Sequence, residues 1–429
     1  MNLASLLLSE QGMRKLISSL EAGHPQRLGQ VGEGLRPLLI YAIYQSLLRP
    51  LLLLFAEGEP MERTASLLAE WGLPVYPFPA LKPHFGEKAP ADSTTLATRL
   101  STLWELRGGR LPVVCATLRS LLQSCPSPSY FNQQRMAFRL GQEVWREDFL
   151  SFLNGAGYSR SARVEALGEY SQRGAIVDVF TPSSPLPLRF EFEGDVLASI
   201  RLFDPSAQVS EGQVEEALLL PWRAFSIHEE GLAAIQAGLS RQHKRLRERL
   251  RTSEARFLEE TVGSDLRLLE KGMHFLGEEY YHPFFSPVAS LLSHLPPSTL
   301  ILSEEEGKLQ QAFEETRRAS EMSYRSALDQ GEAVPYGTTT RGNLTAPGRV
   351  TAPGRVSWEI GAGQTAEFPL LPDWWSLQAV FHSFPSLSFS SFGGDVDFPY
   401  QALPSYQGQL SDFLPVMKGW LKEGRRVIL

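Results

Sequence analysis

The stretch "LLIYAIYQSLLRPLLLLF" (38–55) decides what kind of fold this chain can have. It approaches the roughly 20 apolar residues that a bilayer span needs, but Gln45, Ser46, Arg49 and Pro50 interrupt it. Polar and charged groups are costly at bilayer depth, and proline has no N–H with which to continue a helix. The stretch therefore reads as a helix that stops before Pro50, followed by a buried strand, "LLLLFAE" (51–57). No membrane partner is expected. The opening "MNLASLLLSEQGMRKLISSL" is helical throughout and lacks the basic start and small-residue cleavage site of a signal peptide.

Outward from that strand, helix and strand alternate. "PVYPF" (74–78) and "LPVVCAT" (111–117) are short apolar runs suited to buried parallel strands. Between them lie the helical segments "PMERTASLLAEWG" (60–72) and "DSTTLATRLSTLWELRGG" (92–109), the second with Leu96, Leu100, Leu103 and Leu106 on one face. This is a βαβ series, and it predicts a parallel sheet with right-handed crossovers. "STLILSEEE" (298–306) reads as a further buried strand, at which the sheet resumes.

Around residue 130 the period switches from helical to alternating. Met136, Phe138 and Leu140 alternate with Ala137, Arg139 and Gly141, the helix "WREDFLSFLNG" follows, and four strand-like runs lead to Phe203. Leu188, Phe190 and Phe192 alternate with Arg189, Glu191 and Glu193, as expected of an antiparallel sheet with one wet face. Within "GEYSQRGAIVDVF" (168–180), Arg173-Gly174 stands where a hairpin would turn. Arginine and tyrosine are frequent anchors of protein interfaces, so Tyr158-Ser159-Arg160, Glu169-Tyr170 and Arg173-Gly174 mark a candidate surface. An ion pair of Arg173 with a neighbour such as Glu169 is the other reading.

With 429 residues, 43% hydrophobic and 21% charged, the chain has material for two to three domains. A net charge of −7 excludes a protein that binds nucleic acid over its whole surface, while local basic patches stay open. One is "RQHKRLRERLRTSEAR" (241–256), read either as a patch for nucleic acid or an acidic partner or, preferably, as a solvated helix face over Leu246, Leu250 and Phe257. Cys115 and Cys125 form no CxxC pair and the histidines are scattered, so no disulfide framework or zinc site is expected and a cytoplasmic location fits. Residues 331–358 carry the tandem repeat "TAPGRV" (345–350 and 351–356) and read as a flexible insertion. "SDFLPVMKGWLKEGRRVIL" reads as a helix and then a strand that would begin a truncated domain.

Catalytic motifs are missing. "GQVGEGLRPLLIY", after Gly29, has the glycines of a phosphate loop but no Lys-Ser/Thr. "LSEEEGK" places carboxylates at a strand end as a Walker B acid would be, but carboxylates after strands are common. No GxSxG, HExxH or Cys/His nucleophile arrangement occurs.

These residues carry a family resemblance. "GYSRSARVEALGEYSQRGAIVDVFTPSSPLPLRFEFEGDVLASIRLFDPSAQ" (157–208) resembles the interaction module shared by bacterial transcription-repair coupling factors and the excinuclease protein UvrB. "FPALKPHFGE", "TRLSTLWELRGGRLPVVCATLRSLLQ", "GEEYYHPFFSPVASLLSHLPPSTLIL" and "LPSYQGQLSDFLPVMKGWLKEGRRVIL" resemble the coupling factors specifically. The resemblance implies an α/β fold: a degenerate P-loop, helicase-like parallel-sheet domain (1–128 and 222–398) interrupted by a small α+β, antiparallel-sheet interaction domain (129–221), with 399–429 starting a truncated next domain. It implies that the small domain binds UvrA, the damage-recognition ATPase of the excinuclease, through Arg160 and Arg173, with Tyr170 at the family's aromatic position and Glu169 beside it. The chain would then be an N-terminal fragment that recruits excision repair to stalled RNA polymerase, itself no enzyme and holding no cofactor. ATP, magnesium, DNA and RNA polymerase would engage the translocase and polymerase-binding regions that this chain lacks. UvrB commonly carries a second arginine where Ser171 stands, a departure bearing on the strength of the interface. The alternative is a divergent UvrB or helicase-like protein acting on damaged DNA.

Overall fold

The computed structural model describes residues 11–82, 92–108, 111–207, 209–275, 277–285, 289–335, 374–390, 392–397 and 410–422. The deciding stretch divides at Pro50. The helix Arg36–Leu47 ends on Leu48 in the left-handed region (φ 45°), and the strand Leu51–Phe55 follows with every residue buried. Among the described residues no helix is long and apolar enough to cross a membrane.

The first strands are β1 (Gln26–Gly29), β2 (Leu51–Phe55), β3 (Val75–Phe78) and β4 (Val113–Thr117). The interrupting segment holds β5 (Met136–Arg139), β6 (Ser159–Arg160), β7 (Glu169–Arg173), β8 (Ile176–Val179), β9 (Leu188–Glu193), β10 (Val196–Phe203), β11 (Ser210–Gln213) and β12 (Glu216–Leu219). After it come β13 (Leu300–Ser303), β14 (Ser386–Ser390) and β15 (Val396–Asp397). One seven-stranded parallel sheet, in the order β15-β1-β14-β13-β2-β4-β3, takes strands from both flanks. Its interior strand β2, between β13 and β4, shows why the run is apolar without interruption: Leu51, Leu53 and Phe55 enter the core on one face, and Leu52 and Leu54 the core on the other.

The interrupting segment forms a six-stranded sheet, β11-β10-β9-β8-β7-β6, and the separate antiparallel ribbon β12-β5. All pairs in the larger sheet are antiparallel except β6 with β7. The helix Arg146–Gly155 lays Phe149 and Leu153 on its inner face, where Phe149 meets Phe190 at 4.9 Å and Phe138 at 4.7 Å between ring centroids. The alternation read at 136–140 is only partly used. Phe138 is buried, whereas Met136 and Leu140 are exposed, because β5 is short and only its centre lies over the core.

The chain leaves this segment through a tied junction. The N–H groups of Trp222 and Arg223 both donate to Ala156 O at 2.8 Å, and Tyr158 donates to Leu220 O at 2.7 Å. Gly157 (φ 90°) and Gly168 (φ 83°) lie against Arg223 and Trp222, so close that a Cβ at either would collide. Beyond the junction, a third core gathers Ile235, Leu258, Val262, Tyr281 and Tyr324 among the helices Glu229–Glu248, Thr252–Glu270 and Glu306–Gln330.

The preferred reading of the basic segment is corrected here. Leu246 is buried, but Leu250 is 90% exposed, because the helix stops at Glu248 and the chain reverses at Leu250, and Phe257, inside the next helix, is 46% exposed. The helix Leu410–Lys422 is present. The TAPGRV repeats and the strand expected at "RRVIL" lie outside the described residues.

Candidate protein-interaction site

The hairpin β7–β8 turns on Gly174-Ala175, and only Gly174 has positive φ (61°), at the first central position as in a II′ turn. A glycine in second place is thus not required, and the cation precedes the turn. Arg173 ends β7 exposed, opposite Ile176, and its Nη2 donates to Ala162 O at 2.9 Å. No ion pair with Glu169 forms. Glu169 Oε2 instead accepts from the N–H groups of Glu165 (2.9 Å) and Ala166 (3.0 Å).

Both side chains therefore fasten the loop from Ser161 to Gly168, which connects the parallel strands β6 and β7. Ser161 N–H donates to Tyr170 O at 2.8 Å, and Arg163 Nη2 donates to Pro205 O (3.3 Å) and Ser206 O (2.9 Å). Val164, 1% exposed, anchors the loop's underside. Arg160 stands at the loop's start, exposed, paired in register with Tyr170 and without a hydrogen bond or ion pair among the described residues. Tyr170 differs from its expected surface position. The residue is 4% exposed and its hydroxyl donates to Asn154 Oδ1 at 2.9 Å, so it shapes the site from inside.

Two arginines escaped the sequence reading. Arg163 is half-exposed on the same loop, near Glu165 at 3.6 Å. Arg146 lies across the turn, donating to Gly174 O at 3.3 Å. The spacing Arg160-x-x-Arg163 was a signal for the first. For the second there was none, since only the tertiary fold brings the start of the helix Arg146–Gly155 to the turn. Beneath them Asp178 is buried and takes a bidentate pair from Arg189 (2.7 and 2.9 Å), and hydrogen bonding to that carboxylate raises the Arg189 pKa. Ser171 is buried opposite Asp178, so the departure from the two-arginine pattern lies in a covered position.

The phosphate-loop position has different contents. Glu304, at the end of β13, is buried; its Oε2 accepts from Ala56 N–H at 2.8 Å and its Oε1 lies 3.7 Å from Arg36 Nη1. Arg36, at the start of the helix after the glycines, also lies 5.4 Å from the Phe389 ring centroid. A Cβ on Gly29 would run into Asp397 and Gly394. Among the described residues no group of three or more His, Cys, Asp or Glu is placed to hold a metal. Burial pushes both thiols, Cys115 and Cys125, up to about 12.

An interrupted parallel sheet carrying an arginine-edged antiparallel module defines a class, and the module's sequence agrees with it: residues 136–225 match the model of the UvrB interaction domain. The chain is similar to the N-terminal region of transcription-repair-coupling factors. It is 29% identical over 238 residues to that of Escherichia coli (55% of this chain, 19% of the relative) and 24% identical over 345 residues to that of Bacillus subtilis (78% and 29%). To the Myxococcus xanthus protein it is 32% identical over 140 residues, covering 32% of this chain and 12% of the relative. The chain thus spans less than a third of the length of the curated relatives it matches.

Proposed function

We propose that this chain serves transcription-coupled repair by docking the excinuclease protein UvrA on the edge formed by Arg160 and Arg173, with Arg163 and Arg146 beside them. The observation that carries the reading is Arg160: an exposed guanidinium, without an internal partner, on the module that matches the UvrB interaction domain. Guanidinium forks make bidentate contacts to carboxylates, and a desolvated arginine is a frequent interface anchor. Glu169 and Tyr170 act indirectly, Glu169 by holding the loop and Tyr170 by fixing β7. Contacts with RNA polymerase and DNA-translocating activity belong, in this reading, to parts of the relatives outside the matched region.

We also infer that the chain neither binds nor hydrolyses ATP. The loop after Gly29 offers no Lys-Ser/Thr, and the Glu304 carboxylate is committed to Ala56 N–H and Arg36. Saturable heat on calorimetric titration with ATP and magnesium would remove this part of the reading.

The docking test is calorimetric titration of the full chain against UvrA. Arg160→Glu should weaken binding by about 2–4 kcal/mol, roughly thirty- to a thousand-fold. Arg173→Glu should do the same, with the melting curve watched because Arg173 also holds Ala162. Parental affinity in a folded Arg160→Glu variant refutes the site. No binding by the parent refutes the partner.

A further inference from the structure

The helices Glu229–Glu248 and Thr252–Glu270 pack as a hairpin that reverses over Arg249, Leu250 and Arg251. Gln242 and Leu246 are buried, and Arg241, Lys244 and Arg247 are exposed away from them. Lys244 lies 3.8 Å from Glu248, Arg249 lies 3.5 Å from Asp329, and Arg251 donates to Asp329 O at 2.9 Å. The side chains of Arg241, Arg245 and Arg247 make no ion pair or hydrogen bond among the described residues. In a chain of net charge −7, free cations are thus gathered along the last two turns of one helix, next to the reversal.

The reversal itself is built against its own stability. Arg251 N–H donates to Leu246 O (2.9 Å) and Leu250 N–H to Arg247 O (3.0 Å), the paired bonds of a Schellman motif. That motif places its key residue in the left-handed region and favours glycine there. Here the position holds a leucine, φ 58° and 90% exposed. Such a side chain gains nothing from burial in the free chain, and local rules are most often broken where a surface is used.

We propose that this hairpin tip binds the sugar-phosphate backbone of DNA, with Arg241, Arg245 and Arg247 neutralising phosphates and Leu250 lying against sugar or base. Arg241 and Arg245 stand one turn apart on one face of the helix, about 6 Å along it at ~1.5 Å per residue, and Arg247 projects from the opposite flank of buried Leu246. A nucleic-acid strand supplies a regular line of charge at that scale, about one per 3.4 Å. Arginines not locked by internal partners suit contacts that read charge and not sequence. The site is separate from Arg160 and Arg173 and does not depend on the docking proposal.

The experiment is fluorescence anisotropy of the full chain with a short labelled duplex and the matching single strand, across a salt series. Saturable binding to at least one is expected. Arg245→Glu/Arg247→Glu should weaken it more than about tenfold at low salt and reduce the slope of log K against log salt by about two, since each phosphate contact contributes ~0.9. Leu250→Gly should weaken binding about threefold or more while the melting temperature holds or rises, because glycine relieves the left-handed backbone. Arg173→Glu should bind DNA as the parent does. No saturable binding to either DNA, parental affinity in the folded arginine variants, or loss of binding in Arg173→Glu each overturns the proposal. A poly-aspartate peptide binding as tightly as DNA also overturns it, in favour of an acidic protein.

Discussion

Arg223 and Glu278 form the most deeply buried ion pair described in the chain, with side chains 3% and 2% exposed. The guanidinium gives Nε to Oε1 at 3.0 Å and Nη2 to Oε2 at 3.1 Å, and Nη2 also reaches Gly272 O at 3.4 Å. His274 Nδ1 lies 2.9 Å from the same carboxylate. Replacing Glu278 by leucine leaves the guanidinium without its countercharge in a site that water does not reach. Removing one member of such a pair costs about 3–5 kcal/mol, whereas replacing both by apolar groups of similar volume is often close to neutral. Glu278→Leu should therefore lower unfolding stability by about 3–5 kcal/mol, and Arg223→Met/Glu278→Leu by clearly less than that single change. Urea unfolding followed by tryptophan fluorescence provides the measurement, with Trp222 next to the pair. A Glu278→Leu cost below about 1 kcal/mol, or a double variant worse than the single, would refute the assignment of a desolvated, mutually dependent pair.

Three further outcomes follow from local geometry. Burial lowers the pKa of His282 and of His294 to about 4, so the folded chain excludes protons that the unfolded chain takes up near 6.5. Stability should hold above that pH and fall between about 6.5 and 4, by up to about 3 kcal/mol per histidine; His282→Phe should remove part of the slope, and an unchanged slope counts against it. Gly168→Ala, at φ 83° with its Cβ directed into the Trp222 indole, should cost about 2–4 kcal/mol. Gly174→Ala, at φ 61° with open space around it, should cost only about 1–2 kcal/mol, and equal melting-temperature losses for the two would show that Trp222 is not the obstacle.

What the sequence made legible is what short-range physics controls. Pro50 and the uninterrupted apolar run after it were enough to separate helix from buried strand, and alternation at Leu188–Glu193 gave the module's wet and dry faces. Periodicity failed at Leu140 and Leu250, which lie past the end of the element that would bury them, and at Met136 and Phe257, which lie inside an element but on its uncovered side. The arginines at 160 and 173 could be placed on one module from the sequence, but Tyr170 could not be placed inside it, because strand alternation says which residues share a face and not which face is covered. Arg146 and the Arg36–Glu304 pair join positions distant in sequence, and no local pattern encodes them.

The buried pair also bears on how the two proposed surfaces relate. Arg223 follows directly on the module, and its nitrogens hold both Glu278 and Gly272 O, the latter two residues beyond the helix Thr252–Glu270 whose other end is the basic tip. Tyr130, in the short helix Pro128–Gln133 between β4 and β5, donates to Phe225 O at 3.1 Å, so the same short segment is also tied to the chain's entry into the module. A module held only by a linker would leave the arginine edge and the hairpin tip free to reorient, as is usual between domains joined by small, polar contacts. Here a bidentate, desolvated pair ties the segment that leaves the module to the chain just beyond the helix hairpin, which on both proposals would hold the two surfaces in one geometry. Loosening the junction by Arg223→Met/Glu278→Leu, which removes the pair without leaving a lone buried charge, should accordingly leave each binding reaction near its parental affinity while weakening any cooperation between them. That pattern separates a positioning role for Arg223 from membership of either surface.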